Sequence, residues 1–331
     1  MTSAAHELTT PAWWSVHARL AVAATALALA AAVIFSPSAL VQLPLLAAGV
    51  AVFGIPHGAL DHLLGRRLLL PRFGRWWIPV FLAAYLGLCL AVILAWSWRP
   101  AAALAGFLLL SAVHFGLGDV RRELSGRALY FLEVLTRGAL PLTLPLLAHS
   151  KEVAVLFGWL VGPAVAPTPA TVFGLAQGAA LVLAPAFLWT LGHHLRGLAS
   201  ERRALHRGVL VELAAIGAVG VLAPPLISFL VYFCVWHSLR HTLETASELH
   251  PAGFRRALPL FAMLAAPLTA VTLVLAVAAW AILRTSGMAA DPATVQVLFI
   301  GLAALTVPHM ALCAATDFDP DRTALSPGAA G

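Results

Sequence analysis

Apolar runs of roughly membrane length, separated by short loops rich in arginine, repeat along almost the whole chain. A bilayer core takes about 20 apolar residues per helix. Candidate spans fall near 18–35, 41–62, 78–97, 102–118, 129–147, 171–197, 209–222, 226–248, 258–283 and 294–314. The pattern predicts an all-α, polytopic membrane bundle of about ten transmembrane helices. Segment 209–222 is short and runs into Pro224 and Pro225, so a re-entrant piece is its alternative.

The arginines test this layout independently. With a cytoplasmic amino terminus, alternate loops hold Arg66, Arg67, Arg72 and Arg75, then Arg121, Arg122 and Arg127, then Arg202, Arg203 and Arg207, then Arg255 and Arg256. The opposite loops hold Arg99, Lys151 and Arg284. Twelve cations against three is a positive-inside bias, which places both termini in the cytoplasm. Residues 1–16 form a tail, with Trp13 and Trp14 suited to the interfacial belt. Residues 17–316 form a single transmembrane domain, and 317–331 read as a disordered tail. No removable signal peptide stands apart from the first apolar run.

Composition agrees. The 331 residues are 61% hydrophobic and 10% charged, against roughly 25% charged in ordinary soluble domains, and mean hydropathy is +0.92. The net charge of +6 comes from arginine and is accounted for by loops facing the cytoplasm, so no nucleic-acid role is assigned. Cys89, Cys234 and Cys313 lie in apolar segments without metal-ligand spacing and read as packing residues.

The chemistry lies in the histidines. His57 and His114 fall near the cytoplasmic ends of two spans, and His237, His241 and His309 in the cytoplasmic halves of two others. Their shared depth follows from counting arginines, not histidines. His237 and His241 are four apart and share a helical face. Imidazole suits iron, copper, zinc and nickel, and ionisable groups clustered inside a membrane define a functional-site hypothesis. Asp61, four residues after His57, and Asp119, five after His114, are candidate carboxylate partners for ligand histidines. Phe229, Tyr232, Phe233 and Trp236 could line an approach to His237, with the Tyr232 hydroxyl in the pocket. Arg240, which stays protonated and cannot be a ligand, is expected to pair with Glu244 or Asp61. Glu133 and Arg137, four apart, are expected to pair with each other, while Glu212 is at the interface or bonded to another helix. His193 and His194 beside Arg196 are read as reaching for headgroups, His62 as a rim residue, and His17 and His206 as tail or loop residues.

The stretches GIPHGALDH, HFGLGD, LTRGALPLTLPLL and FCVWHSLRH, in this order, resemble the bacteriorhodopsin-related-protein-like (Brp/Blh) family of microbial β-carotene 15,15′-dioxygenases. The resemblance covers Gly54 to His309. It implies an Fe(2+) enzyme that splits the central double bond of β-carotene, or a related carotenoid, with dioxygen to give two retinal molecules. Its iron ligands would be His57, His114, His237 and His241, with His309 nearby in the pocket. The retinal would pass to a retinal-binding protein such as a rhodopsin. Two other classes compete: a membrane di-iron desaturase or hydroxylase, which would need about eight histidines and so His62, His193, His194 and His309 as well; and a non-enzymatic b-type haem or metal-handling protein.

Overall fold

The computed structural model describes residues 12–35, 37–121, 124, 126–249 and 254–317. Each of the ten predicted spans is helical there. They are α1 (Ala12–Phe35), α2 (Ala39–Gly49) continuing through a π-helical turn Val50–Gly54 into α3 (Ile55–Gly58), α4 (Asp61–Phe73), α5 (Trp77–Trp98), α6 (Pro100–Asp119) and α7 (Arg127–Ala148). Then come α8 (Ser150–Val161), α9 (Pro169–Gly197), α10 (Arg203–Leu222), α11 (Pro225–Phe229) leading into a π-helical stretch Leu230–Ser238, α12 (Leu239–Leu249), α13 (Phe254–Thr285) and α14 (Ala290–Asp317). No strand occurs among the described residues.

Among the described residues, eight helical segments are long and apolar enough to cross a membrane, and Arg203–Leu222 is one of them. The histidine-bearing run from Pro225 to Leu249 is not, because its polar residues offset its apolar ones. Large apolar side chains point outward, Leu27 on α1, Val182 on α9 and Val277 on α13 being 72%, 78% and 65% exposed. Meanwhile Asp119, Glu133, Arg137, Glu212 and Arg240 are buried. This inversion of the soluble pattern is compatible with a bundle in lipid, where polar groups face the interior.

Three boundaries depart from the sequence layout. The first helix begins at Ala12, so Trp13 and Trp14 are helical, and Trp13 is buried in a cluster with Leu243 and Phe261 instead of serving as an interfacial belt residue. Ser15 and Val16 are helical too; residues 1–11, with His6, lie outside the described residues, as do His250 and the tail expected to be disordered except for Asp317, which ends α14. The 41–62 span breaks after Gly58, so that Asp61 opens a new helix. The connection after α7 contains a twelve-residue helix, α8. At 1.5 Å per residue it reaches only about 18 Å, short of a bilayer core, which is why hydropathy passed over it.

The two π segments position the site. Ile55 N–H bonds Val50 O and Leu239 N–H bonds Cys234 O, each five residues back. Such a register inserts an extra residue into a turn and re-aims the side chains beyond it. Pro56, which lacks an N–H for the ordinary i→i−4 bond, comes directly after the first segment and Ile55. The two segments pack against each other, with Gly54 against the Phe233 ring.

Helices α6 and α7 meet backbone to backbone. A Cβ at Gly116 would overlap the Val134 carbonyl, and one at Gly138 the Ala112 carbonyl. Small residues permit such close crossings in membranes, and this one fixes where His114 and Asp119 sit against α7.

Candidate metal centre

His57 from α3, His114 from α6, His237 from the second π segment, His241 from α12 and His309 from α14 converge inside the bundle. His57 lies 6.4, 5.9, 6.2 and 5.6 Å, ring centre to ring centre, from His114, His237, His241 and His309. His114 is 4.8 Å from His237 and 5.4 Å from His309, and His237 is 5.0 Å from His241. The expected convergence of five imidazoles is observed. His57, His114 and His309 each offer a nitrogen within 4.8 Å of the others.

Three of these rings, His57, His237 and His309, are hydrogen-bonded through Nδ1, which leaves Nε2 as the other nitrogen. His57 Nδ1 makes a short hydrogen bond to Gly54 O. His237 Nδ1 faces Asp119 Oδ1 at 3.3 Å, His309 Nδ1 donates to Asp61 Oδ1 at 2.7 Å, and His241 Nδ1 lies 3.9 Å from Glu244 Oε2. Binding one nitrogen to a carbonyl or carboxylate fixes the tautomer that leaves the other as a metal donor.

Two features fit the group to a metal ion. His241 Nε2 is buried without a hydrogen-bond partner, a costly state for a polar atom. His237 Nε2 and His114 Nε2 are 3.1 Å apart, close to the ~3.0 Å between adjacent ligands at right angles on bonds of about 2.1 Å. Gly118 leaves the space beside them: a Cβ there would stand 2.5 Å from His241 Nε2 and 3.0 Å from His237 Cε1.

The carboxylates are distributed differently from the sequence expectation. Asp61 does not serve His57; the helix break places it on His309, with the Tyr85 hydroxyl donating to its second oxygen at 3.0 Å. Asp119 is the hub. It accepts the Tyr232 hydroxyl at 2.7 Å, faces His237, and pairs with Arg240 at 3.1 Å. The Tyr232 hydroxyl is therefore committed to Asp119 and not to the pocket. Arg240 pairs with neither Asp61 nor Glu244 but with Asp119 and, at 2.8 Å, Glu212 Oε1. The same oxygen lies 2.9 Å from Arg137. Glu212 thus bridges two arginines from other helices, and Glu133, expected to hold Arg137, instead bonds His194 Nε2 at 2.7 Å.

Aromatic rings close the apolar side. Phe233 packs edge-on to His57 at 5.9 Å and stacks on His237 and Phe229 at 6.2 and 5.2 Å. Phe115, which the sequence did not single out, is 5.0 Å from His237. Trp236 points away, donating to Thr25 on α1. His17 is also buried there, bonded to Val235 O at 3.0 Å. Cys313 reaches His309 Nε2 at 3.7 Å. Tyr85, Phe115, Gly118 and Cys313 carried no signal beyond residue type. His193, His194 and His206 form a separate group instead of joining the five.

The bundle and this site define a polytopic helical protein of membrane type with a buried histidine group able to hold a metal. The chain belongs to the β-carotene 15,15′-dioxygenase family, whose model matches residues 48–317. It is 31% identical over 272 residues to the β-carotene 15,15′-dioxygenase of uncultured marine bacterium 66A03, covering 80% of this chain and 90% of that protein. It is 30% identical over 319 residues to the "Probable beta-carotene 15,15'-dioxygenase Blh" of Halobacterium salinarum, covering 88% and 89%. No solved structure matches the chain.

Proposed function

We propose that this enzyme cleaves the central 15,15′ double bond of β-carotene with dioxygen, giving two molecules of all-trans-retinal, at an iron(II) held by His57, His114, His237 and His241. The observation that carries the reading is the inward-facing set of imidazole nitrogens in a chain of this family. His309 is the fifth ring. Its Nε2 has the Cys313 thiol beside it, whereas His241 Nε2 has no hydrogen-bond partner, so His241 is taken as the fourth ligand and His309, although close to His57 and His114, as a pocket residue.

Iron(II), when bound, supplies the redox chemistry that dioxygen needs to react with an alkene. The chain supplies orientation and exclusion. Asp119, itself held by Tyr232 and Arg240, keeps Nε2 of His237 directed inward. Phe115, Phe229 and Phe233 give the polyene an apolar surface and keep bulk water from the reacting bond. An apolar cavity of about 310 Å³ between α2, α13 and α14, lined in part by Val50, Ile55, Thr272, Gly301, Leu302 and Leu305, offers a lateral path. Ile55 precedes His57 by two residues, and Leu305 precedes His309 by one turn. β-Carotene and dioxygen both dissolve in lipid and could enter this way.

The same reading makes residues 17–316 one catalytic domain of about ten spans in a bacterial inner membrane. Both termini face the cytoplasm, the iron lies in the cytoplasmic half, and retinal leaves to a retinal-binding protein such as a rhodopsin. Expression in β-carotene-producing cells tests it: the pigment should bleach as retinal appears. Unchanged β-carotene beside folded, iron-loaded protein would reject the substrate. Two irons lost together from the His57→Ala variant would instead favour the di-iron class.

A further inference from the structure

A second histidine group lies outside this centre. His193 and His194 end α9, and His206 lies in the first turn of α10. The three rings are mutually 5.2 to 5.3 Å apart. Each offers a nitrogen within 4.8 Å of the others. His194 and His206 are buried, although their sequence position beside Arg196 and Arg202 favours headgroup contacts.

The outer nitrogens of two rings are anchored as those of ligand histidines are. His194 Nε2 donates to Glu133 Oε1 at 2.7 Å, and His193 Nε2 to Leu124 O at 2.9 Å. These bonds make Nδ1 the lone-pair nitrogen of each ring. His194 Nδ1 lies 3.0 Å from His206 Nδ1, near the ~3.4 Å between ligands of a tetrahedral ion with bonds of about 2.1 Å. Gly197 makes the arrangement possible, because a Cβ there would overlap the His206 ring. A simple N–H···N bond between His194 and His206 accounts for two rings; His193, next to His194 in the chain, also comes within 5.3 Å of His206. The Glu133 carboxylate supplies one negative charge beside three neutral imidazoles, offsetting part of the charge of a buried divalent ion.

We propose that His193, His194 and His206 form a second metal site, of the zinc(II) class, that ties the end of α9 to the start of α10. Three imidazoles with a carboxylate behind one of them suit this redox-inert, tetrahedral ion. The proposal is independent of the ligands and substrate assigned to the His57 centre.

Cobalt(II) is a direct probe, because tetrahedral cobalt gives an intense visible band. The full-length protein carrying His114→Ala, which disables the first centre, is stripped of metal and titrated with cobalt(II). A tetrahedral band is expected, lost when His206→Gln is added and appearing only at about 10- to 100-fold higher cobalt with Glu133→Gln. His193→Gln, altering a ring that is only partly buried, gives the same answer should His206→Gln fail to fold. No band in the His114→Ala protein, or a band that survives both glutamine variants of the histidines, overturns the proposal and leaves three hydrogen-bonded rings.

Discussion

At the residue scale, the five clustered histidines are not equivalent. His114→Ala or His237→Ala removes a nitrogen of the closest pair, and each is expected to purify without iron and without carotene-cleaving activity. His309→Ala should retain about one iron and lose turnover instead, which metal analysis beside retinal formation would show; an iron-free His309→Ala protein would move it into the ligand set. Asp119→Asn keeps the shape of the hub but weakens its hold on His237. Loss of such a partner lowers metal affinity by about 10- to 100-fold, to be read by chelator competition. The histidines themselves were legible in the sequence because imidazole is costly in lipid and theirs shared one depth. The partner of Arg240 was not. Helix-local spacing proposed Glu244, yet Asp119 and Glu212 stand closer in space from other helices, a pairing that no spacing within one helix reveals.

At the element scale, helix existence came from hydropathy and register did not. The pattern located the helices bearing His57 and His237, but nothing in it marks the turns at Val50–Gly54 and Leu230–Ser238 as π-helical; Pro56 is a hint only in retrospect. Deleting one residue from Leu230–Ser238 should restore an ordinary α-helix and undo the local re-aiming of His237 that the extra residue provides. The expected protein still inserts into membranes but binds no iron. Normal iron content would mean that the π register has no part in setting the site. The break at Ala59 and Leu60 was equally hidden, and it reassigned Asp61 from His57 to His309. Helix α8 escaped because a half-length helix packed inside a bundle has no hydropathy signature of its own.

At the scale of the whole molecule, Arg137, Glu212, Arg240 and Asp119 form a buried string of alternating charge drawn from α7, α10, α12 and α6. Two cations and two anions cancel, and the string ends on His237. Removing one partner of such a buried network costs about 3–5 kcal/mol. Glu212→Gln, which takes the carboxylate from Arg137 and leaves Arg240 paired with Asp119 alone, should therefore lower the unfolding temperature in detergent markedly more than a substitution at exposed Glu201. It should also loosen iron, since Arg240 then holds Asp119 alone. An unchanged melting temperature would show that the string contributes nothing to stability.

The string also bears on how the chain is made. Arg137 is synthesised 75 residues before Glu212, so α7 enters the bilayer long before its counter-ion exists, and a charge at mid-membrane is disfavoured by about 2.5–3.5 kcal/mol on insertion scales. The nascent protein must carry that penalty until α10 emerges, which makes the interval a window for quality control. A chain stopped after Gly197 is expected to be degraded faster in cells than the same fragment carrying Arg137→Leu, a difference that pulse-chase labelling would measure. Neutralisation of Arg137 by Glu212 thus waits until about two-thirds of the chain has been made.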